Sequence, residues 1–524
     1  MPAAATTAAI LIAVASLGMA GPPQQSVAGA APPAGAHTAP AGATAAGPAS
    51  ALAAGSSFAA TSSATASLAA NSLAATTSRA TVSSPAAAGA TASSLSTART
   101  ATSARAALIA GLPSAATRLG RETLPLNDGW AASGAGTTGG AAADDAHVAV
   151  ARNRAELIAA LGGDAATNGA NAVPKIVYIS GKIDLMAGTT CADYADPDYS
   201  LDAFLTAYDP AVWGRAAKPS GPLEDARVRS AKKQGDQIRI NVGSNTTIIG
   251  VNGGRITHGS LIVTNVSNVI VRNLEVTDAA DCFPAWDPTD GATGNWNSLY
   301  DLVSLSGASN VWIDHNTFSD GNNHDEDQPV RLGRPYQVHD GATDFIRGSD
   351  LITVSYNDYY DHDKTMLIGS TDTPGVDVGK LRVTVHHNRF GNVLQRAPRV
   401  RFGQVDVYDN LFVATDDRYQ YSLGVGVESS IYAENNYFKL SADVPAADIV
   451  HYWKGTRITA IGTLVQVSGG KPKPVDLVAA YNAAYDPDLT PDAGWTPTLR
   501  TRVDPAALVP AVVAATAGIR RLGC

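Results

Sequence analysis

LRVTVHHNRFGNVLQRAPRVRFGQVDVYDNLF, residues 381–412, carries one short phrase twice. A β-branched strand runs into Asn, one further residue and an aromatic, first at Asn388–Phe390 and again at Asn410–Phe412. Val, Ile and Thr suit a pleated, half-buried surface, and the interval is near the ~20–30 residues of a solenoid rung. The phrase recurs on both sides, as NVIVRNLEV near Asn273, NVWIDHNTF at Asn316, LITVSYNDY at Asn357 and IYAENNYF at Asn436, with loops lengthening the other intervals. A β-sandwich would also give many short strands, but it would not repeat Asn-x-aromatic at a fixed point. The expected fold is therefore all-β, a single-stranded right-handed parallel β-helix. One rung cannot bury its inward face alone; stacked rungs make a continuous core of Val, Ile and Leu. Asparagines at one corner can form a ladder of amide bonds, and Phe318, Tyr359, Phe390, Phe412 and Phe438 can stack inside.

Ahead of the repeats, VARNRAELIAAL at 150–161 reads as a short capping helix, with Asn153 as N-cap and Leu157, Ala160 and Leu161 on its apolar face. KIVYISGKIDL at 175–185 follows as a strand. Beyond Val475 the chain ends in a helical stretch, VDPAALVPAVVAAT, expected to pack outside the solenoid or over its far end.

Composition divides the 524 residues. Residues 1–120 are almost wholly Ala, Ser, Thr, Gly and Pro, too poor in apolar area to offset the entropy of ordering. The apolar run Ala8–Leu17, followed by Gly18-Met19-Ala20, marks 1–20 as a signal peptide and the chain as secreted. Residues 21–120 are then a disordered linker and 121–524 the β-helix domain. No apolar run reaches the ~20 residues that span a bilayer, so a membrane partner is not expected. Of three cysteines, Cys191 and Cys282 fall in the ordered part and would pair in an exported chain; Cys524 has no evident partner.

The formal charge is -9, yet RAPRVRFG at 396–403 gathers three arginines around one proline. Clustered guanidinium groups on a rigid β-element grip carboxylates, and local positive charge in an acidic chain points to one anionic ligand rather than to nucleic acid. Arg396 precedes Ala397-Pro398 and is expected in a turn; Arg399 and Arg401 alternate with Val400 and Phe402. The acidic counterpart is Asp301 with Asp340 and Asp344 of HDGATD. Calcium takes six to eight oxygens at about 2.4 Å, whereas an extended chain separates residues 340 and 344 by ~13 Å. Both can ligate only across a bend, and Gly341 is placed to allow one. His315, His386 and His387 read as hydrogen-bonded structural residues, and NNHDEDQP at 322–329 as a solvated loop.

WIDHNTFSDG at 312–321, VHDGATDFIRGSDLITVSYN at 338–357, DHDKTMLIGSTD at 361–372 and RAPRVRFG at 396–403 together resemble the pectate lyases of polysaccharide lyase family 1, over roughly residues 145–500. The resemblance implies that Asp301, Asp340 and Asp344 bind a catalytic Ca2+, that Lys364 and Arg401 hold substrate carboxylates, and that Arg396 is catalytic. Some members carry a further acid two residues before the first aspartate; Leu299 stands there in this chain. The implied reaction is β-eliminative cleavage of polygalacturonate to oligogalacturonides with an unsaturated end, by a monomer with an alkaline optimum. Two other readings predict different behaviour. Pectin lyases act on methyl-esterified polymer and lack the acidic triplet, and a non-catalytic carbohydrate-binding β-helix would not need Lys364, Arg396 and three acids together. Polygalacturonases need paired carboxylates in their own motifs, and no such set is present.

Overall fold

The computed structural model describes residues 106–524. The expected signal peptide and most of the expected linker lie outside these residues. The folded part begins earlier than position 121, however. Ser114–Gly120 forms a helix with Ala116, Leu119 and Gly120 buried, packed with Ile176, Tyr178 and Ile249. Just three bulky apolar side chains, Ile109, Leu112 and Leu119, dock this segment, too few to stand out from the Ala-rich run before it.

The described rungs stack as parallel strands in three columns. One is an eight-stranded sheet running in chain order from Arg239–Asn241 through Ser260–Thr264, Val303–Ser306, Thr343–Ile346, Leu367–Ile368, Arg399–Val400 and Leu423–Gly426 to Val450–Trp453. The other two columns pair rung on rung, as Trp312 with Thr353 and Phe390 with Phe412 show. This is the right-handed parallel β-helix expected from the repeats. Its interior is a continuous apolar core whose members, from Ile179 through Val311 and Val354 to Ile431, are fully buried.

The two ladders form. Asn316, Asn357, Asn388 and Asn410 each pass an Nδ2–H to the Oδ1 of the next, ending at Asn436, at 3.0–3.1 Å. Each also donates to a carbonyl of the preceding rung, as Asn388 does to Val354 at 3.0 Å. Only an amide offers both donor and acceptor at this length, so Asp or Leu could not continue the chain of bonds. Asn273 is not part of it. It stands one register early, and Leu274 occupies the ladder position, its N–H donating to Asn316 Oδ1 at 3.0 Å. Phe318, Tyr359, Phe390, Phe412 and Phe438 stack at centroid spacings of 4.4–5.1 Å, a favourable offset arrangement.

The helix Arg154–Leu161 closes the N-terminal end, capped by Asn153, whose side chain accepts from Glu156 N–H at 2.9 Å. Leu157 and Leu161 enter the core, while Ala160 is partly buried against it. At the other end Leu477–Asn482 packs on Val450–Trp453 and Ile458–Ile461. Val509–Thr516 lies outside, with Val509 and Val513 against Leu411 and Tyr437. Cys191 and Cys282 are joined in a disulfide, with Cα atoms 5.4 Å apart, and Cys524 is free.

Candidate active site

The eight-stranded sheet brings the charged residues together. Ser304 pairs with Asp344 across adjacent strands, and the Phe345–Ile368 and Leu367–Arg399 pairings continue the same row upward. Rungs are about 4.8 Å apart, so Arg399 stands roughly 10 Å above Asp344. Asp301 lies just before Val303–Ser306, Asp340 just before Thr343–Ile346, Lys364 ends the strand Asp358–Lys364, and Arg396 lies between Arg389–Gln395 and Arg399–Val400.

Asp301 and Asp344 converge on Gly341. Asp301 Oδ1 accepts from Gly341 N–H at 3.0 Å, and Asp344 Oδ1 accepts from Leu367 N–H at 2.9 Å. A Cβ on Gly341 would sit 2.3 Å from Asp344 Oδ1 and 2.8 Å from Asp301 Oδ1. Gly341 has no positive φ. Its missing side chain leaves space between the two carboxylates. Burial, and then the Asp340 charge, push Asp301 up to about 7; burial, with Asp301 and Asp340, raises Asp344 well above the usual carboxylate range. Carboxylates in this state lack enough donors to offset their charge.

Asp340 Oδ1 is buried, makes no hydrogen bond, and lies 3.5 Å from Lys364 Nζ. Lys364 is itself buried. Arg396 is buried in a left-handed backbone conformation, φ 58, between two strands, as its place before Ala397-Pro398 predicted. Burial works against its charge, but Tyr421, Asp340 and Asp344 outweigh burial and hold the guanidinium protonated. Asp301, Asp340, Asp344, Lys364 and Arg396 thus form one electrostatic unit.

Arg399 and Arg401 are held separately. The Arg399 guanidinium lies 3.6 Å from the Trp453 ring centroid, a cation–π contact, and burial lowers it to about 9. Gly424 in the next rung leaves space over it, since a Cβ there would meet Arg399 Cβ at 3.0 Å. Arg401 Nε donates to Asp372 Oδ1 at 2.6 Å and its Nη1 to Gly369 O at 2.8 Å. Asp372 also binds Lys454 at 2.7 Å.

A cleft of about 540 Å3 adjoins the charged set through Asp363, lined also by Asp320, Asp325, Gln337, Asn392 and Arg418. Several positioning residues were not singled out from the sequence. Asp363 accepts from Gln337 at 2.7 Å and from Gln395 at 3.0 Å. Asp325, from the loop expected to be solvated, instead turns inward. Its Oδ1 accepts from Val338 N–H at 2.9 Å and His339 N–H at 3.2 Å, fixing the approach to Asp340. The excess of acids in NNHDEDQP was visible, but not which of them faces the body. His315, His386 and His387 are buried or nearly so, and stack with Tyr356 and Tyr408.

The pectate lyase family description matches residues 221–489. The pectate lyase of Bacillus subtilis (strain 168) is 42% identical over 428 residues, covering 79% of this chain and 98% of that protein. Pectate lyase E of Dickeya chrysanthemi is 35% identical over 370 residues, covering 68% and 80%. Among solved structures, the thermostable pectate lyase PL 47 superposes with a TM-score of 0.75 at 48% identity, covering 76% of this chain and 98% of that one. A pectate lyase bound to hexasaccharide gives 0.71 at 42% identity, covering 77% and 99%. With the β-helix and the charged set on one face of it, these likenesses make the chain a member of the pectate lyase family, a polysaccharide lyase that cleaves pectate.

Proposed function

We propose that the chain cleaves polygalacturonate by calcium-dependent β-elimination, giving oligogalacturonides with an unsaturated non-reducing end. The observation that carries this reading is the convergence of Asp301 and Asp344 on the space over Gly341, with Asp340 beside Lys364. The donor set suits Ca2+: it is all carboxylate oxygen, the acids are raised by burial and mutual repulsion, and Asp340 Oδ1 has no hydrogen bond. Asp301, Asp340 and Asp344 would hold the ion, which when bound neutralises the uronate carboxylate and stabilises negative charge developing next to it.

The protein's own side chains account for the rest. Lys364 binds the same uronate, and Arg401 binds the carboxylate of a neighbouring sugar, exchanging part of its pairing with Asp372. Arg396 takes the proton from the carbon beside the carboxylate, and the glycosidic oxygen leaves from the adjacent carbon. An arginine base is unusual, because its pKa is ordinarily about 12.5 or higher. Asp340 and Asp344 hold Arg396 charged. Burial favours the neutral form, and offsetting the charge of Asp340 and Asp344 removes part of what opposes it, with Tyr421 and Asp363 remaining.

The reading includes secretion and action as a monomer on an anionic polysaccharide. A pectin lyase would dispense with the three acids, and a binding module would dispense with Arg396. The test is ultraviolet absorbance from unsaturated product on polygalacturonate. A rise that needs Ca2+ and falls as the substrate is methyl-esterified is expected; full activity in excess chelator would replace this reading by the pectin lyase one.

A further inference from the structure

Beside the asparagine ladder runs a second column. The residue preceding each ladder position takes a left-handed backbone: His315, Tyr356, His387, Asp409 and Asn435 have φ between 52 and 55. His315 stacks on Tyr356 and Tyr356 on His387, each at 4.9 Å. The C-terminal segment crosses this column. Asp504 N–H donates to Asp409 Oδ2 at 2.6 Å, Asn435 Nδ2 donates to Asp504 O at 2.9 Å, and Gly518 N–H donates to Tyr356 O at 2.8 Å.

At this crossing His387, Asp409 and Asp504 each offer a ligand atom within 4.8 Å of the others. Their relative exposures are 4%, 0% and 1%. His387 Nε2 lies 3.6 Å from Asp409 Oδ2 and 3.5 Å from Asp504 Oδ2. These separations exceed the about 2.7–3.2 Å of an N–H···O bond. They match the edge, about 3.4 Å, of a tetrahedron of ligands ~2.0–2.1 Å from a central ion. Two further atoms point the same way: Asp409 Oδ1 and Asp504 Oδ2 are buried without a hydrogen-bond partner.

Charge and tautomer also fit. Arg502 Nε is bonded to Asp504 Oδ1, while Arg500 is committed to Asp406 at 2.8 Å and Glu434 at 2.5 Å. His387 Nδ1 lies 2.8 Å from His386 Nδ1, and one of the two carries the proton between them. With that proton on His387, its Nε2 lone pair faces the carboxylates and His386 Nδ1 is the acceptor that orients the ring, in the place a carboxylate or carbonyl usually takes behind a metal-bound histidine.

We propose that His387, Asp409 and Asp504 form a second metal site, which takes a tetrahedral dication of the zinc class and clasps the C-terminal segment to two rungs of the β-helix. A bound water completes the tetrahedron. One imidazole and two carboxylates favour such an ion over Ca2+, which wants more oxygens than this crossing supplies. The site shares no residue with Asp301, Asp340 and Asp344.

The full chain, stripped of metal and then saturated with Ca2+, is titrated with Co2+ alone. The expected result is the intense visible ligand-field absorption of tetrahedral Co2+, saturating at one ion per chain and displaced by Zn2+. His387→Gln and Asp504→Asn should both lose the band while cleaving pectate at close to the original rate, and Zn2+ should raise the melting temperature of the original chain only. Absence of the band in the unaltered chain would overturn the proposal whether or not the variants fold. A band that survives in His387→Gln would overturn it equally.

Discussion

Lys364 Nζ stands 3.5 Å from Asp340 Oδ1, a buried oxygen with no hydrogen bond, so the lysine proposed to bind a uronate and an acid proposed to bind the cation are one ion pair before substrate arrives. Substrate and ion would compete with that pair for its members. Lys364→Ala should therefore raise KM for polygalacturonate by about ten- to a hundredfold, the usual range for losing a hydrogen bond to a charged group, with a smaller change in kcat. Steady-state kinetics at saturating Ca2+ check this. A loss confined to kcat would move Lys364 from binding to chemistry.

The acids should oppose one another without the ion. Asp301 and Asp344 are both raised by burial and by neighbouring carboxylates, so the metal-free fold carries uncompensated repulsion. In excess chelator Asp344→Asn should melt at or above the temperature of the original chain; in Ca2+ the order should reverse, because only the original chain gains from binding. Differential scanning calorimetry in both buffers measures the crossover. Parallel curves would show that Asp344 is not a ligand.

A pH effect is expected away from this site. His258 Nδ1 lies 2.9 Å from Asp184 Oδ1 and its Nε2 3.3 Å from Asp278 Oδ2. Asp278 raises the imidazole above 6.5, against burial and with help from Asp184. A histidine raised on folding contributes stability that is full below its unfolded value and lost as pH rises through its folded one. As pH rises above about 6.5 the melting temperature of the original chain should fall more steeply than that of His258→Gln.

The starting point of the fold can be tested by truncation. A chain beginning at Ala106 keeps Leu119 against Ile176 and Tyr178, together with the Arg121 Nη1 bond to Ala143 O at 2.8 Å. It should melt and cleave pectate like the full chain. A chain beginning at Leu124 loses these contacts and should be less stable by on the order of 3 kcal/mol, the worth of a buried large apolar side chain or slightly more.

How far the sequence was legible follows from where each residue sits. The rungs were readable because stacking repeats one environment, so Asn388 and Asn410 meet the same demand and leave the same trace. Asp301, Asp340, Asp344, Lys364 and Arg396 were found through motifs that lie on or beside those rungs. Asp325, Asp372 and Trp453 were not, because they reach the site from loops or from a rung without the repeat, where nothing periodic marks a side chain as inward. Asn273 misled for the opposite reason. It has the phrase but sits one register early, and a shift of one position moves a side chain out of the ladder. Gly341 was noticed for its flexibility, whereas its place between Asp301 and Asp344 depends on contacts forty residues apart that no local pattern records.

The arginines give the most discriminating experiment. Burial brings Arg399 down to about 9, while Arg396 is held charged by Tyr421, Asp340 and Asp344, so in the absence of a cation the more readily deprotonated arginine is not the one assigned as base. Arg399 is nonetheless stacked on Trp453, roughly 10 Å up the sheet from Asp344, whereas Arg396 feels the charge of Asp340 and Asp344. Arg396→Lys keeps a positive charge but replaces a planar fork by a point charge. If Arg396 takes the proton, kcat should fall by more than about a hundredfold with KM little changed. Arg399→Lys should instead lose the stacking and cost mainly stability. Wild-type kcat in Arg396→Lys would refute the assignment, and a larger kcat loss in Arg399→Lys than in Arg396→Lys would transfer the base to Arg399.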